Sequence, residues 1–259
     1  MFILSKLKHL TKAFLSGFEG ACLESKSRAS APISSDILVV VANYGFPENA
    51  DRLKSSFSHF FQTFLLDSSS PLAPKLVDLT IPNTYYPGLW NAAVHKAFSS
   101  RCDWLFFLAS DVTVKQVKKL SYCIKEVSSN PNVGVYTPSL TPNSRVAFTS
   151  LVNKKTNGIR SCHLVEGFAF LVRVDLLTDI YPIPVFNKYG WCLDLIMCEI
   201  ARKKGYNILV DDRVSIFHPK SQEHHSINSQ SAIDEAFLFA RGFGFSEQYI
   251  LESIAKANQ

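Results

Sequence analysis

The 259-residue chain has no Cys-x-x-Cys pair, no zinc-finger spacing, no RNA-binding aromatic motif and no basic heptad, so nothing in it speaks for nucleic acid as a partner. No tandem period is present, which excludes solenoids and propellers. No stretch reaches the roughly 20 consecutive apolar residues of a bilayer-spanning helix. The six cysteines (Cys22, Cys102, Cys123, Cys162, Cys192, Cys198) are far apart. With no secretory leader, they read as reduced thiols of a cytosolic protein. Cys102, Cys123, Cys192 and Cys198 fall inside apolar segments, where a free thiol behaves as a small hydrophobe.

What is present is a globular composition, with 47% hydrophobic, 12% aromatic and 19% charged residues and a net charge of +5. The length suits one large α/β domain with appendages. Lysine and arginine cluster only at Lys115, Lys118 and Lys119 and at Arg202, Lys203 and Lys204, which read as solvated helix faces. Residues 1–20 form an amphipathic basic segment with Ile3, Leu7, Leu10, Phe14 and Phe18 on one helical face. Three readings stand: an interfacial anchor at the inner face of a membrane, an organellar presequence, or a helix packed on the domain. A Ser/Ala-rich linker over 24–35 follows. The expected organisation is therefore an N-terminal segment and linker (1–35), a main domain (36–220) and a helical tail (221–259).

The main domain opens on an apolar, β-branched run at 36–45 whose lack of alternation suits a strand covered on both faces. A helix is predicted over 48–61, strands over 62–70 and 75–81, a helix over 88–97 and a buried strand over 103–112 that ends at an acid. A helix over 116–127 and a strand over 133–140 come next. Residues 145–160 read as a hairpin or loop, 165–173 as a strand, 193–204 as a helix closed by Gly205, and 206–219 as one or two strands. Tail helices are predicted over 232–241 and 247–256. Such alternation predicts an open, mostly parallel α/β sheet that binds ligands at the carboxyl ends of its strands. Asn43, Asp67 and Asp111 stand at such ends.

Taken singly, each polar residue also has a structural reading. Asp67 suits a turn cap, Asp111 a helix cap, Asp194 the first turn of a helix, and His218 a strand end. Trp191 and Tyr189 suit either a sugar platform or a core.

Together and in order, the motifs are more specific. Ala42-Asn43-Tyr44 closes the first strand, and Asp67-Ser68-Ser69-Ser70 the second. Pro87-Gly88-Leu89-Trp90-Asn91 precedes a strand ending in Ala109-Ser110-Asp111. Val165-Glu166-Gly167-Phe168-Ala169 follows, then Leu193-Asp194 ahead of Arg202-Lys203-Lys204-Gly205-Tyr206, and finally His218. This series resembles the family 2 glycosyltransferases of the GT-A fold, the inverting group that uses nucleotide sugars, and within it bacterial enzymes of polysaccharide and lipopolysaccharide biosynthesis. Two positions depart from the pattern: Ala109 replaces the first acid of Asp-x-Asp, and Leu193 the Glu of Glu-Asp.

The resemblance implies a donor such as a UDP-, GDP- or dTDP-linked hexose or deoxyhexose and a glycan or lipid-linked glycan acceptor. It implies nucleotide contacts from Asn43, Tyr44, Asp67, Asn91 and Asp111, and acceptor contacts from Glu166, Gly167 and Trp191. A Mg²⁺ or Mn²⁺ ion would be held by Asp111 and His218, with Asp194 as general base. The chemistry is consistent. A divalent cation offsets charge on a departing diphosphate, imidazole is acceptable to Mn²⁺, and a carboxylate takes the proton of a poorly nucleophilic hydroxyl. Two other classes fit the lost acids or the α/β pattern: a non-catalytic carbohydrate-binding or scaffold protein of the same fold, and a nucleotidyltransferase. Against the latter, no basic glycine-rich loop follows the first strand.

Overall fold

The computed structural model describes residues 34–219 and 229–259. The amphipathic segment 1–20 and most of the linker 24–35 lie outside the described residues. Eight strands form one sheet in the order β3-β2-β1-β4-β7-β5-β8-β6. They are β1 (Ser34–Asn43), β2 (Phe61–Asp67), β3 (Leu79–Thr80), β4 (Trp104–Ala109), β5 (Val133–Leu140), β6 (Ile159–Ser161), β7 (Ala169–Arg173) and β8 (Asn207–Ile216). The helices are α1 (Pro47–Phe57), α2 (Tyr85–Ser100), α3 (Val117–Ser128), α4 (Val174–Leu177), α5 (Leu193–Lys203), α6 (Ser229–Gly242) and α7 (Glu247–Ala257).

The sheet is mixed. Pairings β1·β2, β1·β4, β2·β3 and β5·β8 are parallel, whereas β7 runs antiparallel to both β4 and β5, and β6 antiparallel to β8. The parallel half matches the expectation from the sequence. Direction is invisible in an apolar run such as β7, so the reversal there was not legible. At the centre Leu38, Val39, Val40 and Val41 are fully buried, as a strand covered on both faces requires. Helix α1 packs on α3, while α2 packs on α4 and α4 on α5.

Element boundaries moved where apolar spacing is ambiguous. The helix predicted to reach residue 61 stops at Phe57, and Phe61 instead opens β2 as a fully buried residue. Helix α2 begins at Tyr85, earlier than predicted. Pro87 is tolerated there because a first-turn amide has no intrahelical partner. The third strand shrinks to two residues, and 206–219 contributes one continuous strand. The polar connection 145–160 contains a short 3-10 turn, Thr149–Leu151, and leads into edge strand β6. Gly205 closes α5 with φ +80, and its N–H donates to Arg202 O at 2.9 Å, the left-handed C-terminal cap the sequence predicts.

Candidate active site

Strands β1, β2 and β4 end level with one another, since Asn43 is register partner of Asp67, and Ala42 of Ala109. Polar side chains tie these ends together. Asn43 is fully buried. Its Nδ2 donates to Asp67 Oδ1 at 2.7 Å and to Ser70 Oγ at 3.0 Å, while its Oδ1 accepts from Ser110 Oγ at 2.7 Å and Phe46 N at 3.1 Å. Asp67, also fully buried, takes Ser70 Oγ at 2.5 Å and Ser70 N at 3.0 Å as well. Asn43 and Asp67 thus form an internal brace under the cleft floor. Asn91 sits elsewhere: its Nδ2 donates to Ile183 O at 3.0 Å and its Oδ1 accepts Ile183 N at 2.9 Å, which fastens α2 to the segment leading to α5. None of these three side chains lines the cleft.

Asp111 and His218 do line it. A small antiparallel bridge brings them together: Thr113 N donates to Phe217 O at 2.8 Å, and Phe217 N to Thr113 O at 3.0 Å. His218 Nε2 then lies 3.2 Å from Asp111 Oδ2, and the imidazole stacks on Phe168 with ring centroids 4.1 Å apart. The turn after β5 holds the other side, with Ser144 Oγ accepting His218 N at 3.2 Å and Arg145 N donating to His218 O at 2.9 Å. Two atoms of the pair, Asp111 Oδ1 and His218 Nδ1, are buried and have no hydrogen-bond partner among the described residues.

Across the cleft, Tyr86 is wedged between two glycines. Its hydroxyl donates to Gly167 O, and a Cβ on Gly190 would stand 2.3 Å from Tyr86 Cδ1. Asp194 lies in the first turn of α5, where a carboxylate suits the helix dipole. Its Oδ1 accepts Leu195 N at 2.9 Å, and it is half-buried. Burial, with a smaller push from the Glu166 charge, raises its pKa to about 7. Tyr86 is itself pushed up, by burial first and then by the charge of Asp194. Glu166 is buried, and its Oε1 accepts the Ala147 and Phe148 amides, at 3.0 Å for the second. Burial raises its pKa against the opposing effect of those amides. Trp191 is 38% exposed on the cleft wall. Asp194, Glu166 and Gly167 stand behind the wall, Asp194 and Gly167 next to Tyr86.

The cleft measures about 580 Å³, within the range of ligand sites. Besides Tyr44, Asp111, Trp191 and His218 it is lined by Phe46, Ser68, Asn83, Tyr85, Tyr189, Arg145 and Lys188. Sequence reading missed the two cations. Arg145 was placed in an irregular connection, and Lys188 carried no motif. Lys188 Nζ rests over Tyr85 at 4.1 Å and Tyr189 at 5.5 Å, and its backbone N–H donates to Glu235 Oε2 of α6 at 2.9 Å. The Arg145 side chain has no ion pair or hydrogen bond among the described residues.

No group of three or more His, Cys, Asp or Glu among the described residues is arranged to hold a metal. A carboxylate and an imidazole do converge at the cleft, each with an atom that has no partner among the described residues. That donor set fits a Mn²⁺ or Mg²⁺ ion bound together with a diphosphate, since such ions keep substrate oxygens and waters as most of their ligands.

No family model and no curated protein matches the chain. Solved structures do. GalNAc-T7 in complex with UDP, GalNAc and Mn²⁺ superposes with a TM-score of 0.60 at 10% identity, over 79% of this chain and 47% of that one, so the chain spans about half the length of that enzyme. The mannosyltransferase PcManGT from Pyrobaculum calidifontis, in complex with GDP-Man and Mn²⁺, gives 0.54 at 14% identity, over 98% of this chain and 79% of that one. At such identities the likeness speaks for architecture, and the architecture is the GT-A fold.

Proposed function

We propose that the chain is a metal-dependent, inverting glycosyltransferase. It would move a hexose or deoxyhexose from a UDP-, GDP- or dTDP-linked donor to a hydroxyl of a glycan or lipid-linked glycan. The observation that carries this reading is the Asp111–His218 pair, whose two buried atoms and the nearby Arg145 guanidinium have no hydrogen-bond or ion-pair partner among the described residues and share one cleft. When bound there, a divalent cation would offset the charge of the leaving diphosphate.

The chain's own residues would do the rest. Asp111 and His218 hold the cation, and Arg145 adds a second positive charge for the phosphates. Tyr44 and Phe46, at the mouth of β1, offer faces for the base. Tyr189 and Trp191 present apolar faces to a pyranose. Asp194 stands behind the cleft wall next to Tyr86, half-buried and with its pKa raised to about 7; for an acceptor hydroxyl that reaches it from that side it would take the proton as the new bond forms, a role worth roughly 10² to 10⁴-fold in rate. Direct attack needs no covalent adduct on the carboxylate and therefore inverts the anomeric centre.

A screen of nucleotide sugars for Mn²⁺-stimulated hydrolysis tests the reading, because a transferase lacking its acceptor passes sugar slowly to water. Release of nucleoside diphosphate from one donor class supports it. No release from any donor favours a non-catalytic carbohydrate-binding role for the same cleft. Membrane contact through residues 1–20 remains part of the proposal for a lipid-linked acceptor, tested by pelleting with anionic liposomes before and after their deletion.

A further inference from the structure

We propose that Asn49 and Arg52, both on α1, act as a positioning relay that fixes Asp111 for a divalent cation bound with a nucleoside diphosphate. This rests on the functional reading above. Asn49 Nδ2 has two hydrogens and uses both, donating to Ser110 O at 2.5 Å and to Val112 O at 2.9 Å. Those carbonyls lie on either side of Asp111. One amide thus grips the peptide unit that leads into Asp111 and the one that follows Val112.

Arg52 determines which way that amide points. Its Nε and Nη2 donate to Asn49 Oδ1 at 3.0 and 2.7 Å, and its Nη1 donates to Val114 O at 3.3 Å. A flipped amide would set NH₂ against the guanidinium and oxygen against two carbonyls, so a single orientation survives. From the opposite side, the Thr113–Phe217 bridge pins the same loop against β8. Asp111 is thereby held in a loop fastened on both sides, one oxygen being placed 3.2 Å from His218. Neither Asn49 nor Arg52 lines the cleft, so both act through Asp111 and not by touching ligand. Groups that orient metal ligands are commonly worth 10 to 100-fold in metal affinity.

The test uses the full chain and follows Mn²⁺ by electron paramagnetic resonance in the presence of UDP, GDP or dTDP. Nucleotide affinity without metal is measured in parallel. Asn49→Ala should lower Mn²⁺ affinity of the protein–nucleotide complex about 10-fold or more and leave metal-free nucleotide affinity unchanged. Arg52→Ala should give a smaller loss of the same kind, partly restored in Arg52→Lys. Arg52 is exposed, so its variants decide the matter if Asn49→Ala does not fold. Folded variants that bind Mn²⁺ as the parent does would overturn the proposal. So would an equal loss of metal-free and metal-dependent affinity, which marks a merely structural staple. No Mn²⁺ binding by the parent with any nucleotide would overturn the functional reading, and the relay with it.

Discussion

His218 Nε2 stands 3.2 Å from Asp111 Oδ2 across 107 positions of sequence. The contact follows from topology. Asp111 follows β4 and His218 follows β8, strands separated in the sheet by β7 and β5, and the Thr113–Phe217 bridge closes that gap beyond the strand ends. Carboxylate and imidazole therefore meet over the crevice where an open α/β sheet places its ligands.

The proposed base makes turnover pH-dependent. Asp194 must be ionised to accept a proton, and burial raises its pKa to about 7. kcat/KM should therefore rise with pH on an acid limb centred near 7, well above the range of an ordinary carboxylate. Asp194→Asn should abolish transfer with nucleotide affinity nearly intact. A profile flat from about pH 5.5 to 8 would remove Asp194 from that role.

The same shift carries a stability consequence. Between 3.8 and about 7 the folded state holds the Asp194 proton more tightly than the unfolded chain does, so stability from this group falls as pH rises through that window. Asp194→Asn relieves the penalty. Its gain in Tm over the parent should be larger at about pH 8 than at about pH 4, as read by calorimetry.

Gly190 is required by Tyr86. A Cβ would lie 2.3 Å from the ring, at a backbone φ of +68. Gly190→Ala should cost about 2–4 kcal/mol in denaturant unfolding, from overpacking and backbone strain together. In a Tyr86→Ala background the cost should fall to the strain contribution alone. An unchanged cost there would show that the ring is not the obstacle.

Asn91 should matter to the fold more than to the nucleotide. Replacing it by Ala leaves both Ile183 backbone groups without partners, worth about 2–4 kcal/mol for two buried polar groups. Metal-dependent nucleotide affinity of the folded fraction should change little. Arg145→Ala should do the reverse, lowering nucleoside diphosphate affinity about 10-fold or more by loss of a charge-assisted contact, with uridine binding and Tm unaltered.

Much of the architecture was legible in the sequence, because the buried β-branched runs of β1 and β4 and the Gly205 cap follow local physical rules. The antiparallel course of β7 was not, since an apolar strand covered on both faces carries no sign of its direction. For the cleft, sequence order singled out Asp111, His218 and Trp191. It also singled out Asn43 and Asp67 at strand ends and Asn91 within α2, which the fold uses as internal braces, because a polar residue in a motif looks alike whether it faces ligand or neighbouring backbone. Arg145, Lys188, Asn49 and Arg52 carried no motif. Their roles arise only once distant segments meet. Leu193, where the resembled family has an acid, is 2% exposed and joins the core, so Asp194 stands without a carboxylate beside it in sequence.

The central claim is that Asp111 and His218 bind a divalent cation together with a nucleoside diphosphate. Calorimetric titration of the parent and of Asp111→Asn with UDP, GDP and dTDP, with and without Mn²⁺, tests it most directly. The account predicts that at least one nucleotide binds the parent about 10-fold or more tightly with Mn²⁺, and that Asp111→Asn loses this increment while keeping its metal-free affinity. Absence of metal stimulation for all three nucleotides, or its persistence in Asp111→Asn, would contradict the account.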